Sequence, residues 1–320
     1  MFQKKAQILK WWGKVFLIAL LIVFIVRAFF IQSYTVSSSQ METALLRGDR
    51  VLVNKVSYGI RMPMTLLSIP FTFDTFLGFK SYSDLIQLGY HRLFSKIVDR
   101  NDVVLFNNPL ESDKPLDKRS LYLSRCVAVA GDTIIVKGSD FYLNGIKSVS
   151  SPDLLQSFRF ERNSKDTILA VVNSLKISPR DISMDSLSVY STLSRYEVFL
   201  INQKLPDSLQ LKLNVQEVLS YDLIIPASGM TITLTEFNRP LYNQIINDEV
   251  GETVKIEDLK SYTFLYNYYW FLSDNADDAI DSRSLGFISE RNIIGKASVI
   301  WYSSSDEDGS RWNRLFSCVK

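Results

Sequence analysis

The hydrophobic pattern of the chain begins with an apolar stretch of about twenty residues, Trp11–Ile31, whose unbroken part is Val15–Val26. A helix rises about 1.5 Å per residue, so this stretch is long enough to cross the hydrocarbon core of a bilayer. Lys14 and Arg27 lie near its two ends, where their long stems can place the charge at the polar interface. The pattern predicts one transmembrane helix.

The charges around this helix predict its orientation. No acidic residue occurs before Glu42, whereas four lysines precede or border the apolar stretch: Lys4, Lys5, Lys10 and Lys14. By the positive-inside rule, the first residues stay in the cytoplasm and the chain after Gln32 is exported. A cleavable signal peptide is the alternative, but the apolar core is long and residues 29–32 offer no small-x-small cleavage site. We therefore expect residues 1–32 to be a cytoplasmic basic tip and an uncleaved anchor.

The exported part, residues 33–320, is rich in short runs of β-branched and aromatic residues that are bounded by turn residues. The runs that predict strands are Val51–Val56, Asp102–Asn107, Leu121–Val129, Thr133–Lys137, Met230–Leu234, Tyr262–Phe271 and Ala297–Tyr302. The pair Asn144–Gly145 lies between two apolar runs and predicts a two-residue hairpin. Many strands and few helices predict a mainly β, antiparallel domain.

Two further segments interrupt this pattern. Residues from about 150 to 220 are rich in Ser, Asp and Leu and include helical spacing within Leu193–Leu205, so we interpret them as an insertion. The apolar patch Leu66–Leu77 is too short to span a membrane. It either dips into the membrane surface beside the anchor or packs as core.

Composition narrows the function classes. The net charge of +2 argues against an electrostatic nucleic-acid binder. The single histidine, His91, and the two cysteines, Cys126 and Cys318, lack metal-ligand spacing, so we expect no metal site and no cofactor. One disulfide is conceivable in an oxidising compartment, but two inert thiols are the interpretation we favour.

Five segments follow the anchor in a fixed order. They are Val36–Arg61 (VSSSQMETALLRGDRVLVNKVSYGIR), Asp102–Pro109 (DVVLFNNP), Tyr122–Ile134 (YLSRCVAVAGDTI), Phe141–Lys147 (FYLNGIK) and Ser273–Ser303 (SDNADDAIDSRSLGFISERNIIGKASVIWYS). Together they resemble the type I signal peptidases (leader peptidases), the membrane-bound serine proteases of family S26. The resemblance implies a β-rich domain on the outer side of the bacterial inner membrane. It also implies signal peptides or exported protein segments as partners.

The chemistry that the resemblance implies is a Ser–Lys dyad, in which a serine attacks the scissile carbonyl and a lysine of lowered pKa takes its proton. The family's nucleophile precedes the methionine of the first segment, and here Gln40 precedes Met41. The family's lysine precedes the arginine of the third segment, and here Ser124 precedes Arg125. A carboxamide is not a nucleophile, and a serine is too weakly basic to activate another hydroxyl. We therefore predict that the dyad is absent.

The remaining family positions are partly kept. The serine that orients the lysine belongs two residues before the Asp-Ser-Arg of the last segment, where this chain has Ala279. The resemblance places Ser38 at the oxyanion-hole position, and it implies that Asp281 and Arg283 form an ion pair that braces the site. Ser39 adjoins position 40, but in an extended segment it would point to the opposite face.

Three functions are compatible with these residues. The one we favour is a catalytically inactive signal peptidase homologue that binds signal peptides, exported segments or an active signal peptidase. The second is an active serine endopeptidase that uses Ser38 or Ser39 with a lysine of the insertion, the candidates being Lys165, Lys176 and Lys204. The third is a structural subunit of an envelope complex, in which the peptide groove has closed.

Overall fold

The computed structural model describes residues 2–65, 67–68, 75–76, 78–83, 85–137, 140–148, 155–178, 180–214, 221–251, 256–275, 279–305 and 309–319. Its α-helices are α1 (Phe2–Phe29), α2 (Lys165–Ser174), α3 (Arg195–Asn202), α4 (Arg239–Val250) and α5 (Ser282–Leu285). Its strands are β1 (Ile31–Thr35), β2 (Asp49–Asn54), β3 (Ile60–Arg61), β4 (Thr75–Phe76), β5 (Phe79–Lys80), β6 (Arg92–Leu93), β7 (Val103–Asn107), β8 (Leu121–Ala128), β9 (Thr133–Lys137), β10 (Asp140–Leu143), β11 (Ile146–Lys147), β12 (Leu155–Glu161), β13 (Arg180–Met184), β14 (Ser188–Ser194), β15 (Lys212–Leu213), β16 (Tyr221–Ile224), β17 (Thr231–Thr233), β18 (Ser261–Thr263), β19 (Tyr268–Leu272), β20 (Ile288–Ser289), β21 (Ile293–Ser305), β22 (Gly309–Ser310) and β23 (Ser317–Cys318). The predicted mainly β architecture is confirmed.

Helix α1 contains the predicted membrane span. Its segment Trp11–Phe29 has 19 residues with a mean hydropathy of 2.2, and none of this segment is buried against the described chain. It is therefore long and apolar enough to cross a bilayer. Strand β1 begins directly after the helix, and the Lys55 amide donates a hydrogen bond of 2.8 Å to the Phe30 carbonyl at the junction. The anchor thus runs into the folded domain without a linker.

A curled antiparallel sheet forms the centre of the domain, with the strand order β1-β2-β21-β7-β8-β19-β20. Strand β7 lies between β21 and β8 and is buried at every position. Its run of apolar residues is continuous because both of its faces pack against core. Met41 and Leu45 pack with β7 residue Leu105 on one face, whereas Cys126 packs with Phe271 on the other.

The predicted strands are present, with one exception among the seven runs. The apolar pattern predicts one strand over Tyr262–Phe271, but the structure divides this run between β18 and β19. The Glu249 carboxylate on α4 accepts hydrogen bonds from the amides of Leu265 and Tyr266, at 2.9 and 3.2 Å. Those two amides are therefore unavailable to a strand ladder, and the chain turns there.

Two predicted local features also have clear outcomes. Asn144 and Gly145 have positive φ values of 52° and 78° and join β10 to β11, so the two-residue hairpin is confirmed. The apolar patch Leu66–Leu77 falls mostly outside the described residues.

Part of the segment from 150 to 220 forms a small unit of its own. Four strands pair in the order β13-β14-β12-β15, and helices α2 and α3 pack beside them over a separate apolar core. Helix α3 begins at a capping box, in which Ser194 and Glu197 bond each other's backbone amides. The helical spacing within Leu193–Leu205 is therefore observed as α3.

Candidate functional site

Gln40 lies on a bend between β1 and β2. Residues 38–44 form a bend followed by turns, closed by a hydrogen bond of 3.1 Å from the Glu42 amide to the Ser39 carbonyl. The expectation that Ser39 sits in an extended segment is therefore wrong, and simple face alternation does not place its side chain. Gln40 is 8% exposed, while Ser38 and Ser39 are half-buried.

Ser124 is completely buried in the middle of β8, on the same face as Cys126. Its Oγ lies 3.5 Å from the Oγ of Ser273, which follows β19. Burial raises the pKa of the Cys126 thiol well above its ordinary value, so this thiol stays protonated. Cys126 and Cys318 are both free, and Cys318 is exposed.

Asp274 joins three of the family-like segments. Its carboxylate accepts two hydrogen bonds from the Arg125 guanidinium, at 2.8 and 2.7 Å, and one from the Thr43 hydroxyl at 2.8 Å. The next residue, Asn275, donates its amide to the Gln40 carbonyl at 2.8 Å. Position 40 and position 124 are thus each tied to Ser273–Asn275, and this assembles the candidate site.

The last segment is fixed by a buried carboxylate. Asp281 is fully buried, and its Oδ2 accepts a 2.8 Å hydrogen bond from the Ser273 amide. Arg283 Nη2 lies 2.8 Å from the same oxygen, so the two residues form an ion pair. Ala279 is half-buried two residues before Asp281, and its methyl group brings no hydrogen-bonding function to the site.

The small unit of β12–β15 reaches this site through β12. The Leu155 amide donates to the Asp274 carbonyl at 3.2 Å, and Leu155 forms a parallel bridge with Asn275. Arg180 on β13 lies 3.6 Å from the Glu42 carboxylate and also pairs with Glu197. Backbone groups that border position 40 are therefore already bonded within the chain.

The alternative catalytic lysines lie in the same small unit, on or just after α2 and α3. Lys165 Nζ is 3.5 Å from the sulfur of Met184 on β13. Lys176 and Lys204 are exposed, as is His91. The side-chain groups described around positions 40 and 124 are the Gln40 amide, the hydroxyls of Ser124, Ser273 and Thr43, the Arg125 guanidinium, and the ion-paired carboxylates of Asp274 and Asp281. This set can donate and accept hydrogen bonds, but it contains no amine or imidazole to take a proton from a hydroxyl.

Sequence reasoning missed the role of Asp274 and Thr43. Both are conventional polar residues in their segments, and their contact joins positions 231 residues apart. The sequence carried only an indirect signal for Asp274, because this residue belongs to the last of the five segments that carry the family resemblance. Its bidentate partner Arg125 follows Ser124, so the pair places the β8 position directly beside the last segment.

The chain is similar to known proteins along most of its length. The family model described as signal peptidase, peptidase S26, matches residues 9–211 and 222–302. A signal peptidase I of Helicobacter pylori is 26% identical to the chain, covering 97% of it and 91% of that protein. Signal peptidases I of Rickettsia akari and of Buchnera aphidicola from Schizaphis graminum are 23% and 24% identical, covering 92% and 88% of the chain and 79% and 71% of those proteins.

The family match therefore covers both the first segment, with Gln40, and the last, with Asp281. The chain belongs to the signal peptidase family, peptidase S26.

Proposed function

We propose that this protein is a membrane-anchored signal peptidase I homologue without proteolytic activity, which binds signal peptides, exported segments or an active signal peptidase. The observation that supports inactivity is the buried contact of Ser124 with Ser273, at the position where the family's lysine belongs. Gln40 at the family's nucleophile position also supports inactivity, because a carboxamide is not a nucleophile. Loss of one nucleophile or base typically costs on the order of 10⁴–10⁶ in rate, and further losses are not additive.

We propose the bacterial inner membrane as the location, with the N-terminus in the cytoplasm and residues 33–320 as one exported domain that carries the insertion. The lysines before the helix support this orientation. The hydrogen bonds around position 40 support a binding role. They hold position 40 beside β8 through Asp274 and Asn275, and none of them requires a catalytic side chain. Peptides in this family's groove would bind by strand addition.

A closed groove is the second candidate, and the insertion favours it. The parallel bridge between Leu155 and Asn275 places the chain's own backbone beside position 40. In that case the protein would be a structural subunit of an envelope complex.

The decisive assay uses the full chain in detergent with a preprotein that carries an Ala-x-Ala cleavage site. We expect no cleavage. Cleavage that disappears in Ser38→Ala or Ser39→Ala would contradict the proposal and favour a displaced active site.

A restoration series then tests the frame. The triple variant Gln40→Ser, Ser124→Lys, Ala279→Ser should gain cleavage activity, because a lysine in the buried position of Ser124 would have a lowered pKa. Gln40→Ser alone is the matched control and should stay inactive, since it lacks the base. A photoreactive group at position 40 should crosslink to a signal peptide if the groove is open, whereas one at Lys204 should not. Failure to crosslink would favour the closed groove.

A further inference from the structure

A second site lies at the opposite end of β1 from the candidate catalytic position. A cavity of about 240 Å³ opens beside the last turns of α1, between the helix, β1 and residues that include Arg61, Thr65 and Ser68. Gln32 and the aromatic rings of Phe24 and Phe29 line part of its wall. The site therefore lies at the level where the membrane span ends.

The charged groups that face this cavity are mostly cations. Arg27 comes from α1, Lys55 follows β2, Arg61 is on β3 and Lys118 is on the segment before β8. The carboxylate that faces them, Asp117, accepts two hydrogen bonds from Thr65, at 2.7 and 3.1 Å. Among the residues that line the cavity, four cations and one carboxylate give an excess of positive charge.

The hydrogen bonds of two of these cations go to neutral oxygens. Lys55 Nζ donates to the carbonyls of Arg27 and Ala28, at 3.1 and 3.2 Å, and so caps the last turn of the helix. Arg61 Nη1 donates to Asn107 Oδ1 at 2.8 Å and to the Arg291 carbonyl at 3.1 Å. These bonds position the cations without neutralising their charge.

Burial and the neighbouring cations both disfavour the charged forms of Lys55 and Arg61, and a bound anion would offset that cost. Burial, together with the charges of Arg61 and Arg27, lowers the pKa of Lys55 to about 8. Burial and the charge of Arg92 lower the pKa of Arg61 to about 10. A bound phosphate would favour the charged form of both groups.

We propose that this pocket binds the phosphate of an anionic phospholipid headgroup, from the leaflet on the side of the folded domain. The cations supply the phosphate contacts, and the exposed apolar face of α1 around Phe24 provides a surface for the acyl chains. The site is separate from the Gln40 region, so it does not depend on whether the protein cleaves peptides.

The test is native mass spectrometry of the full chain in a neutral detergent, titrated with phosphatidylglycerol and, separately, with phosphatidylcholine. We expect preferential retention of phosphatidylglycerol. Lys55→Gln should weaken it roughly fivefold, the effect of one cation near an anionic headgroup. Lys55→Arg keeps the charge and should retain most of the affinity. Lys204→Gln removes an exposed charge on the insertion and should change nothing.

A second variant covers the case in which Lys55→Gln disturbs the helix end. Gln32→Glu keeps the shape of a lining residue and adds a negative charge, so it should weaken phosphatidylglycerol binding by a similar factor. Equal retention of the two lipids, or unchanged affinity in both variants, would overturn the proposal. If inorganic phosphate binds and phosphatidylglycerol does not, the ligand is a free anion and the lipid assignment is wrong.

Discussion

At the residue scale, the family-like segments at positions 40 and 124 are joined mainly through the backbone and through neighbouring residues. The Gln40 contact to Asn275 is made by the main-chain carbonyl, which is indifferent to the side chain. Besides the contact of Ser124 with Ser273, β8 is linked to the last segment by Arg125, the neighbour of Ser124. Replacement of the side chain at position 40 therefore leaves these links intact, and replacement of the side chain at position 124 removes only the 3.5 Å contact with Ser273.

Lys55 gives a pH-dependent prediction at this same scale. Its lowered pKa, about 8, means that phosphatidylglycerol affinity should fall as the pH rises through and above 8, because the ammonium group loses its proton. Lys55→Arg should show a flatter profile from pH 7 to 9.5 in the same titration. Identical profiles for the two proteins would rule out Lys55 as the titrating group.

The effect of the same group on stability has the opposite sign. Between about 8 and 10.5 the unfolded state binds more protons at Lys55 than the folded state does. The contribution of Lys55 to stability in lipid-free detergent therefore increases with pH across that window.

Contacts between individual residues were the part of the structure that the sequence predicted least well. Gln40, Ser124 and Ala279 could be singled out because each stands at a defined place in a recognisable segment. The clustering of Lys55 with Arg61 and Lys118 could not be seen, since it depends on how the helix end, a short strand and a later loop meet in space. The bend at Ser39 was missed because local turn bonds replace the expected extended backbone.

At the element scale, two Gly-Asp turns of the same local conformation differ in their surroundings. Gly48 and Gly131 both have φ of 90°, a value that strains any residue with a Cβ. A Cβ at Gly48 would overlap the carbonyl oxygen of Ser304 on β21, whereas a Cβ at Gly131 would meet no atom within 4 Å. The Gly48 turn is therefore packed against the sheet, whereas the Gly131 turn has free space at the Cβ position.

This difference predicts unequal costs for the same substitution. Gly131→Ala should destabilise the protein by about 1–2 kcal/mol, the cost of a left-handed residue. Gly48→Ala should cost roughly 3 kcal/mol or more, because the strand pairing of β2 and β21 must also shift. Melting midpoints of the two variants in the same detergent provide the measurement. Equal melting midpoints for the two variants would mean that the pairing of β2 with β21 shifts at little cost in free energy.

The strands β2, β7, β8, β9 and β21 were predictable from alternating and continuous apolar runs, because burial on one or both faces leaves those patterns in the sequence. The strands β12, β13 and β14 were not predicted. The break between β18 and β19 was not predictable. It is caused by Glu249, which lies on a helix and reaches the turn only in the folded protein.

At the scale of the whole molecule, the two natural cysteines report the proposed orientation. Cys318 is exposed on the sheet domain and Cys126 is fully buried, so a membrane-impermeant maleimide should label one thiol of the folded protein. In intact spheroplasts we expect Cys318 to be labelled from outside. In a Cys318→Ser background, Lys5→Cys should be labelled only after permeabilisation. Labelling of the Lys5→Cys variant from outside, with Cys318 protected, would reverse the proposed topology.

Helix α1 passes directly into β1, and Lys55 ties the two elements together. Its amide donates to the Phe30 carbonyl, and its amine donates to the carbonyls of Arg27 and Ala28. In the proposed orientation, residues 30–39 alone separate the membrane span from Gln40. Their length limits how far position 40 can lie from the lipid, and a polypeptide that contacts it would do so near the membrane.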